Sequence, residues 1–173
     1  MTGKRVAVFE LAGYRYAIAA AYVQEFVRLP TIVPLPKAPP IVEGIVNVRG
    51  TVVPVLDIRR RFRLPERRPH LMDHLLIVRV DRRVVAFRVD RAIGLQDIDP
   101  RDIEDASTLS PGTEYLAGVA KLPDGLVLIH DLRSFLSQAE ARATDDAIAD
   151  ATEVRPRPSF GAQIPGPMRS PNW

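Results

Sequence analysis

Two stretches of the chain carry the same pattern of residues, and this internal repeat limits the folds that the chain can adopt. The stretch GIVNVRGTVVPVLDIRRRF, residues 44–62, aligns without a gap with GVAKLPDGLVLIHDLRSFL, residues 118–136. Apolar residues keep their phase throughout this alignment. The identical pairs are Gly44 with Gly118, Val53 with Val127, Asp57 with Asp131 and Arg59 with Arg133.

A second match lies upstream of the first. Residues 6–29, VAVFELAGYRYAIAAAYVQEFVRL, align with residues 75–98, LLIVRVDRRVVAFRVDRAIGLQDI, at a slightly shorter spacing along the chain. Turn residues interrupt both copies, at Ala12-Gly13 and at Asp81-Arg82-Arg83. Each half of the chain is therefore predicted to contain a strand, a tight turn, a strand, a short helical or irregular piece, a connector and a two-strand unit. Because both faces of the first strands are largely apolar, we expect these strands to be covered on both sides.

The short strands favour small β-barrels over an open parallel sheet, because no helix long enough for a βαβ crossover separates them. Pro54 cannot donate a hydrogen bond within a sheet, so we expect it at a sheet edge or a bulge. Each half has about 65 residues, a size at which a domain is marginally stable alone. We therefore predict a first barrel over about 4–70 and a second over about 71–136, packed against each other.

The repeat pattern ends near residue 136. Ser137 and Glu140 have the spacing of a capping box, and the Ala-rich stretch after them has high helix propensity. This sequence predicts a C-terminal helix over 137–151. Residues 152–173 contain five prolines and few large apolar residues, which predicts a flexible tail.

Composition indicates a globular protein, since 46% of the 173 residues are hydrophobic. The absence of cysteine excludes disulfides and thiolate chemistry. The first residues contain no signal-peptide hydrophobic region, and the apolar runs are far shorter than the ~20 residues that cross a bilayer. We therefore expect a cytoplasmic protein that reaches a membrane only through a partner.

The net charge of +3 and the pI near 9.6 raise the possibility of nucleic-acid binding. However, the arginines concentrate in one segment, residues 59–68, with Phe62 as its only aromatic residue. This segment is more typical of a solvated connector than of a binding face. A basic SH3-like nucleic-acid-binding module remains the alternative function, although we expect no nucleic-acid partner.

The sequence contains no recognisable catalytic or metal-binding pattern. His70, His74 and His130 are scattered, and no cysteine accompanies them. Asp57 and Asp131 occupy equivalent positions just past predicted strands, where an acidic side chain would cap the next turn. We therefore expect no enzymatic activity and no cofactor, and a small enzyme would require a cluster that one sequence cannot reveal.

The segment LPKAPPIVEGIVNVRGTVVPVLDIRRRFRLP, residues 35–65, resembles the signature of the CheW-like domain family, the coupling proteins of bacterial chemotaxis. The resemblance extends over roughly residues 4–151, with the domain itself over 4–136. It implies a mainly β fold of two five-stranded SH3-like barrels plus the C-terminal helix. It also implies a non-enzymatic adaptor that couples the cytoplasmic tip of chemoreceptors to the regulatory domain of the histidine kinase CheA.

Carried over residue by residue, the resemblance places receptor contacts on Val23, Glu25 and Arg49, with Gly44 and Asn47 shaping that region. It places kinase contacts on Ile32 and Leu109. An apolar groove with charged edges would suit the helical bundle of a receptor tip.

Each receptor-facing residue also has a purely structural interpretation. Arg49 could pair with Glu43 or Asp57 inside a barrel, Val23 could belong to the core, and Glu25 could be a solvated helix residue. The repeat favours a partner-binding role for Arg49, because its counterpart in the second copy is Pro123. A structural role common to both copies would not require an arginine at this position.

Overall fold

The computed structural model describes residues 3–108, 116–135 and 137–152, so the predicted tail lies outside the described residues except at its first position. The described residues form a mainly β fold, and short 3-10 turns precede strands at Ala20–Tyr22 and Pro100–Asp102. The strands and helices are β1 (Lys4–Leu11), β2 (Tyr14–Ala19), β3 (Val23–Arg28), β4 (Val42–Val48), β5 (Thr51–Leu56), α1 (Ile58–Arg61), β6 (His74–Val80), β7 (Arg83–Val89), β8 (Arg91–Ile98), β9 (Ile103–Asp105), β10 (Leu116–Leu122), β11 (Gly125–His130) and α2 (Gln138–Thr152).

The strands follow both matches of the sequence repeat. The upstream match relates β1, β2 and β3 to β6, β7 and β8, and the downstream match relates β4 and β5 to β10 and β11. The predicted helical or irregular piece is wrong in both copies, because a strand occupies most of it. In the first copy a 3-10 turn is followed at once by β3. The backbone of β3 is satisfied by antiparallel pairing with β6.

The strands form two antiparallel-rich sheets, and each sheet combines strands from both halves of the chain. One sheet has six strands in the order β8-β1-β2-β11-β10-β9, and the other has five in the order β3-β6-β7-β5-β4. The β1–β2 hairpin therefore lies in the sheet of the second half, and the equivalent β6–β7 hairpin lies in the sheet of the first half. The sheets do not divide the chain at residue 70, as the predicted barrel bounds of 4–70 and 71–136 would require.

The predicted fold class, mainly β with two β units and a C-terminal helix, is confirmed. The two sheets have six and five strands and are not closed barrels, since the end strands of each sheet are not paired with each other within the described residues. Each sheet instead curls around a small apolar core of its own. Val6 and Val8 point into the core of the six-stranded sheet, whereas Val53 and Val55 point into that of the five-stranded sheet.

A larger core lies between the two sheets. Phe9 and Leu11 enter it from β1, and Phe87 enters it from β7. Because alternate residues of β1 face the central core and the core of the six-stranded sheet, both faces of β1 are buried, as its apolar sequence predicts. The two sheets share apolar surface in this way, which provides burial that neither half could supply alone.

Pro54 lies in β5, which is between β4 and β7 and is not an edge strand. Its pairing with β7 involves only Val55 and Leu56, so the missing N–H of Pro54 removes no bond to that strand. The prediction of an edge or bulge position is wrong, because Pro54 pairs with Ile45 and the register shift of this strand pair lies beside it, at Glu43. The missing N–H is nevertheless tolerated because no bond to β7 requires it.

The predicted caps are confirmed. The carboxylate of Asp57 accepts hydrogen bonds from the backbone N–H groups of Arg59 and Arg60, and Asp131 accepts one from Arg133 N–H. The Ser137 hydroxyl accepts a bond from Glu140 N–H, and the Glu140 carboxylate accepts one from Ser137 N–H. This capping box begins α2, which matches the predicted helix to within one residue at each end.

A chain of alternating charges lies where the two sheets meet. Arg88 binds Glu43 at 2.9 Å and Asp73 at 3.2 Å, and Asp73 is 2% exposed. The charge chain continues with bonds from Arg67 to Asp73 and Asp90, and from Arg59 to Asp90. In order along these contacts its members are Glu43, Arg88, Asp73, Arg67, Asp90 and Arg59.

Asp90 connects the two sheets directly, since it lies between β7 of one sheet and β8 of the other. Its carboxylate accepts bonds from Arg59, from Arg67 and from the N–H of Ala12 in the β1–β2 turn. The arginine-rich segment is therefore not the solvated connector that the sequence suggested. Arg59 is buried, and Arg61 binds Glu140 of α2.

The helices within the described ranges are all too short and too polar to cross a bilayer.

Substitution of Asp90 should lower stability in a pH-dependent way. Burial alone would raise the pKa of Asp90, but hydrogen bonds from Arg59, Arg67 and Ala12 N–H hold this pKa below its ordinary value. The stabilisation is therefore complete above the unfolded-state pKa of about 4 and is lost as the pH falls through the folded-state value. Asp90→Asn should cost about 3 kcal/mol at neutral pH, because Arg59 remains buried without its carboxylate.

This prediction is tested by urea unfolding at several pH values. The gap in unfolding free energy between wild type and Asp90→Asn should narrow below about pH 4. Asp97→Asn is the control, because Asp97 pairs with Arg5 in full solvent and its replacement should have little effect. If the difference in unfolding free energy stayed constant down to pH 2, it would contradict the proposed dependence of stability on the ionisation of Asp90.

The glycine at the first position of the repeat is required by close packing. A Cβ on Gly44 would lie 2.3 Å from the carbonyl oxygen of Val33, and one on Gly118 would lie 2.8 Å from that of Glu104. Both glycines also follow a register shift, at Glu43 and at Ala117, so the bulge is repeated with the glycine. The repeat thus preserves a site where a neighbouring backbone crosses close to the strand.

Gly44→Ala should therefore destabilise the fold by about 2–4 kcal/mol, because backbone atoms must move to admit the methyl group. Gly50→Ala is the comparison, because no described atom lies within 4 Å of its Cβ position and only the positive φ of 84° opposes it. Its cost should be about 1 kcal/mol. Equal costs in denaturant unfolding would show that the Val33 contact is unimportant.

Candidate partner-binding site

The Arg49-Gly50 pair forms the two-residue turn between β4 and β5. Val48 pairs with Thr51, and φ is positive at both turn residues, 51° at Arg49 and 84° at Gly50. Positive φ at both central residues is typical of a type I′ hairpin turn. The side chain of Asn47 stabilises the turn, since its Oδ1 accepts a 2.8 Å hydrogen bond from Gly50 N–H. The NVRG sequence thus encodes a tight, ordered turn that projects an arginine.

Arg49 binds Glu25 of β3, with 2.8 Å between Nη2 and Oε2. The Arg49 side chain is nevertheless 79% exposed, whereas that of Glu25 is 25% exposed. β3 and β4 are the two end strands of the five-stranded sheet, so a flat sheet would hold them about 19 Å apart. The ion pair therefore exists only because the sheet curls and brings its ends together.

The structural alternatives for Arg49 are wrong. Glu43 binds Arg88 in the charge chain, and Asp57 caps α1, so neither carboxylate is the partner of Arg49. Glu25 is a strand residue and not the helix residue that was considered for it.

Val23 lies at the start of β3 and is partly buried against the central core. The pairing of β3 with β6 shifts register between Val23 and Glu25, so the two side chains point in different directions. Val23 faces the central core, whereas Glu25 lies where the two end strands of the sheet come together. The core interpretation of Val23 is thus supported, although its side chain keeps some exposure. The residues predicted to contact a receptor lie around the two ends of the curled sheet, with Val23 on the side of the central core.

Ile32 lies in the connector between β3 and β4, partly buried against the core of the five-stranded sheet. This connector passes over Gly44, where Val33 exchanges two 2.8 Å backbone hydrogen bonds with Ile45. Gly44 therefore positions Ile32 by permitting the close approach. Leu109, the other residue assigned to kinase contacts, lies outside the described residues.

The second copy differs at the corresponding turn. Pro123 and Asp124 connect β10 and β11, and Asp124 forms an ion pair with Arg15 of β2. Both turns thus carry a paired charge, but the sign is reversed. The Arg49–Glu25 pairing could not be found from the repeat, because the acidic partner is in a different strand and has no charged counterpart at the equivalent position, Gly94.

Clusters of three or more potential metal ligands are absent from the part of the chain that the structure describes.

Comparisons with known proteins agree with one another. A model of the CheW-like domain matches residues 5–140. The chemotaxis protein CheW of Treponema pallidum is 26% identical over 142 residues, which cover 79% of this chain and 84% of that protein. The chemotaxis protein CheW of Bacillus subtilis is 30% identical over 105 residues, which cover 61% of this chain and 67% of that protein.

The fold is similar to a solved structure, the crystal structure of the scaffolding protein TtCheW from Thermoanaerobacter tengcongensis. The TM-score is 0.68 at 30% sequence identity, and the match covers 75% of this chain and 90% of the other. The matched family region includes both sheets, the charge chain and the Arg49-Gly50 turn. On this evidence the chain belongs to the CheW-like domain family.

Proposed function

We propose that the protein is a non-enzymatic cytoplasmic adaptor that couples chemoreceptors to the histidine kinase CheA. The family is one of chemotaxis scaffolds and not of enzymes, which supports the general role. The observation that carries the specific proposal is the Arg49 side chain, which is ordered by Glu25 and yet largely exposed. The protein would contact the membrane only indirectly, through the receptors.

The Arg49–Glu25 pair is suited to recognition rather than to stability. Exposed ion pairs contribute about 0–1 kcal/mol to folding, so this pair adds little to the stability of the sheet. Its effect is to restrict the rotamers of Arg49, which reduces the entropy lost when a partner binds. An ordered guanidinium beside a carboxylate can select the charge pattern and the register of a receptor helix.

The kinase would contact the connector that contains Ile32, together with Leu109. Ile32 is only partly buried, and its neighbour Val33 is more than half exposed. An apolar connector held rigidly over Gly44 offers a surface that the regulatory domain of CheA could bind.

The structure offers less support for nucleic-acid binding. Within the arginine-rich segment, Arg59, Arg61 and Arg67 bind carboxylates of the same chain. Arginines neutralised in this way leave little charge for phosphate contacts.

The receptor surface is tested with Arg49→Glu in co-sedimentation with receptor cytoplasmic fragments, with and without CheA. Affinity for the receptor should fall at least tenfold, because the variant places two carboxylates together at the interface. The matched control is Arg5→Glu, which reverses the charge of another exposed, ion-paired arginine in the other sheet. Circular dichroism should show that both variants retain the fold.

A charge-swapped variant, Glu25→Arg with Arg49→Glu, separates recognition from structure. It restores the internal ion pair but reverses both charges toward a partner, so receptor binding should remain weak. Full recovery of binding in the swapped protein, or wild-type binding by Arg49→Glu, would refute the role of Arg49.

A further inference from the structure

An unusually exposed pair of apolar residues lies in the turn that precedes β6. Leu71 and Met72 are 89% and 60% exposed. They occupy the two central positions of a turn that a 2.9 Å hydrogen bond from Asp73 N–H to His70 O closes. Glycine, proline, asparagine and aspartate usually fill such positions, so the local backbone gives no reason for two large apolar side chains.

Buried charges hold this turn in place. The Asp73 carboxylate, 2% exposed, binds Arg67 and Arg88 and also accepts a 2.9 Å bond from His70 N–H. The N–H of Met72 donates to His70 Nδ1 at 3.1 Å. Leu29 N–H bonds to the carbonyl of Asp73 at 3.1 Å, which joins the turn to the connector that contains Ile32. Leu71 and Met72 are thus presented to solvent by a rigidly anchored turn.

Two basic residues lie close to this turn, one in the β3–β6 pairing and one in the sequence. Arg28, opposite His74 in the β3–β6 pairing, and Arg68 are both exposed. No described carboxylate lies within ion-pair distance of either arginine. The nearest acid along the chain, Asp73, is buried in the charge chain. A complementary partner would offer an apolar pocket with an acidic rim.

The position of the turn separates it from the receptor-facing region. β5 runs parallel to β7, so the Arg49-Gly50 turn lies at the end of the sheet where β6 and β7 are joined. The His70–Asp73 turn lies at the other end, where β6 begins. The seven residues of β6 span about 20 Å, so two partners could bind the two ends at the same time.

We infer that Leu71 and Met72 form a docking knob for the regulatory domain of the kinase, extending the surface that begins at Ile32. This inference rests on the proposed adaptor function and identifies a further part of its kinase-facing surface. Methionine is enriched at protein interfaces, and residues that become fully desolvated near the centre of an interface provide much of the binding energy. The knob fits a protein pocket better than a lipid surface, because the turn that carries it is fixed and contributes only two side chains.

The test uses the double variant Leu71→Ser/Met72→Ser of the full chain and isothermal titration with two purified probes. The probes are the regulatory domain of CheA and a receptor cytoplasmic fragment, each titrated separately. Affinity for the kinase domain should fall at least tenfold, while receptor affinity changes less than threefold. Because both side chains are exposed, the thermal midpoint should stay within about 2 °C of wild type.

Leu126→Ser is the matched control, since Leu126 has the same exposure as Met72 but lies in the six-stranded sheet. A second variant, Arg28→Glu/Arg68→Glu, should also weaken kinase binding selectively. The inference would be overturned if the double serine variant kept its affinity for the kinase domain, or if it lost affinity equally for the kinase domain and the receptor fragment. Either result would leave the adaptor function intact. Loss of binding to phosphatidylserine vesicles without loss of kinase affinity would overturn it in favour of a membrane contact. A wild-type chain that binds neither protein would refute the adaptor function itself.

Discussion

The buried charge chain from Glu43 to Arg59 is the interaction on which the arrangement of the two sheets depends. Taking six charges out of water is unfavourable unless each one has a partner of opposite sign, and here acids and bases alternate along every contact. The requirement fixes geometry, because removing Arg88 leaves Glu43 without its partner in the chain, and removing Asp90 leaves the buried Arg59 without its carboxylate. It joins β4, β7, the β7–β8 turn, α1 and the segment before β6.

This constraint also explains why the arginine-rich segment is ordered. Residues 59–68 form little regular structure beyond α1, but Phe62 and Leu64 pack against the central core. Arg59, Arg61 and Arg67 also secure the segment through carboxylates on three separate elements. Ion pairs therefore add to apolar packing in attaching the connector, and the pairing of Arg67 with Asp73 also holds the turn that presents Leu71 and Met72.

The two proposed recognition surfaces depend on the curvature of the five-stranded sheet. Curling brings β3 and β4 together, which creates the Arg49–Glu25 pair and allows the connector to close over Gly44. One end of the curled sheet then carries an ordered exposed arginine, and the other carries an anchored apolar turn. Two separated surfaces on one rigid body suit an adaptor, since simultaneous binding requires that the partners do not overlap.

Much of this architecture could be predicted from the sequence. The repeat, the strand positions, the caps at Asp57 and Asp131 and the capping box of α2 depend on residues close together in the chain, whose hydrogen bonds and burial patterns are local. The Arg49 turn was also recognisable as the position where the two copies differ. The acidic partners of Arg49, Arg59 and Arg88 were not predictable, because they are distant along the chain and only packing brings them together.

The sequence by itself determined the first hairpin and the two-strand unit of each half and where their turns fall, since alternation and turn chemistry act over a few residues, but it did not predict β3 and β8. Only the tertiary structure decided which sheet receives each first hairpin. The β1–β2 and β6–β7 hairpins have the same pattern, so either could complete either sheet by the same backbone bonds. Each hairpin joins the sheet of the other half of the chain because of the long-range packing of the central core and the charge chain through Asp90. The repeat encodes neither of these.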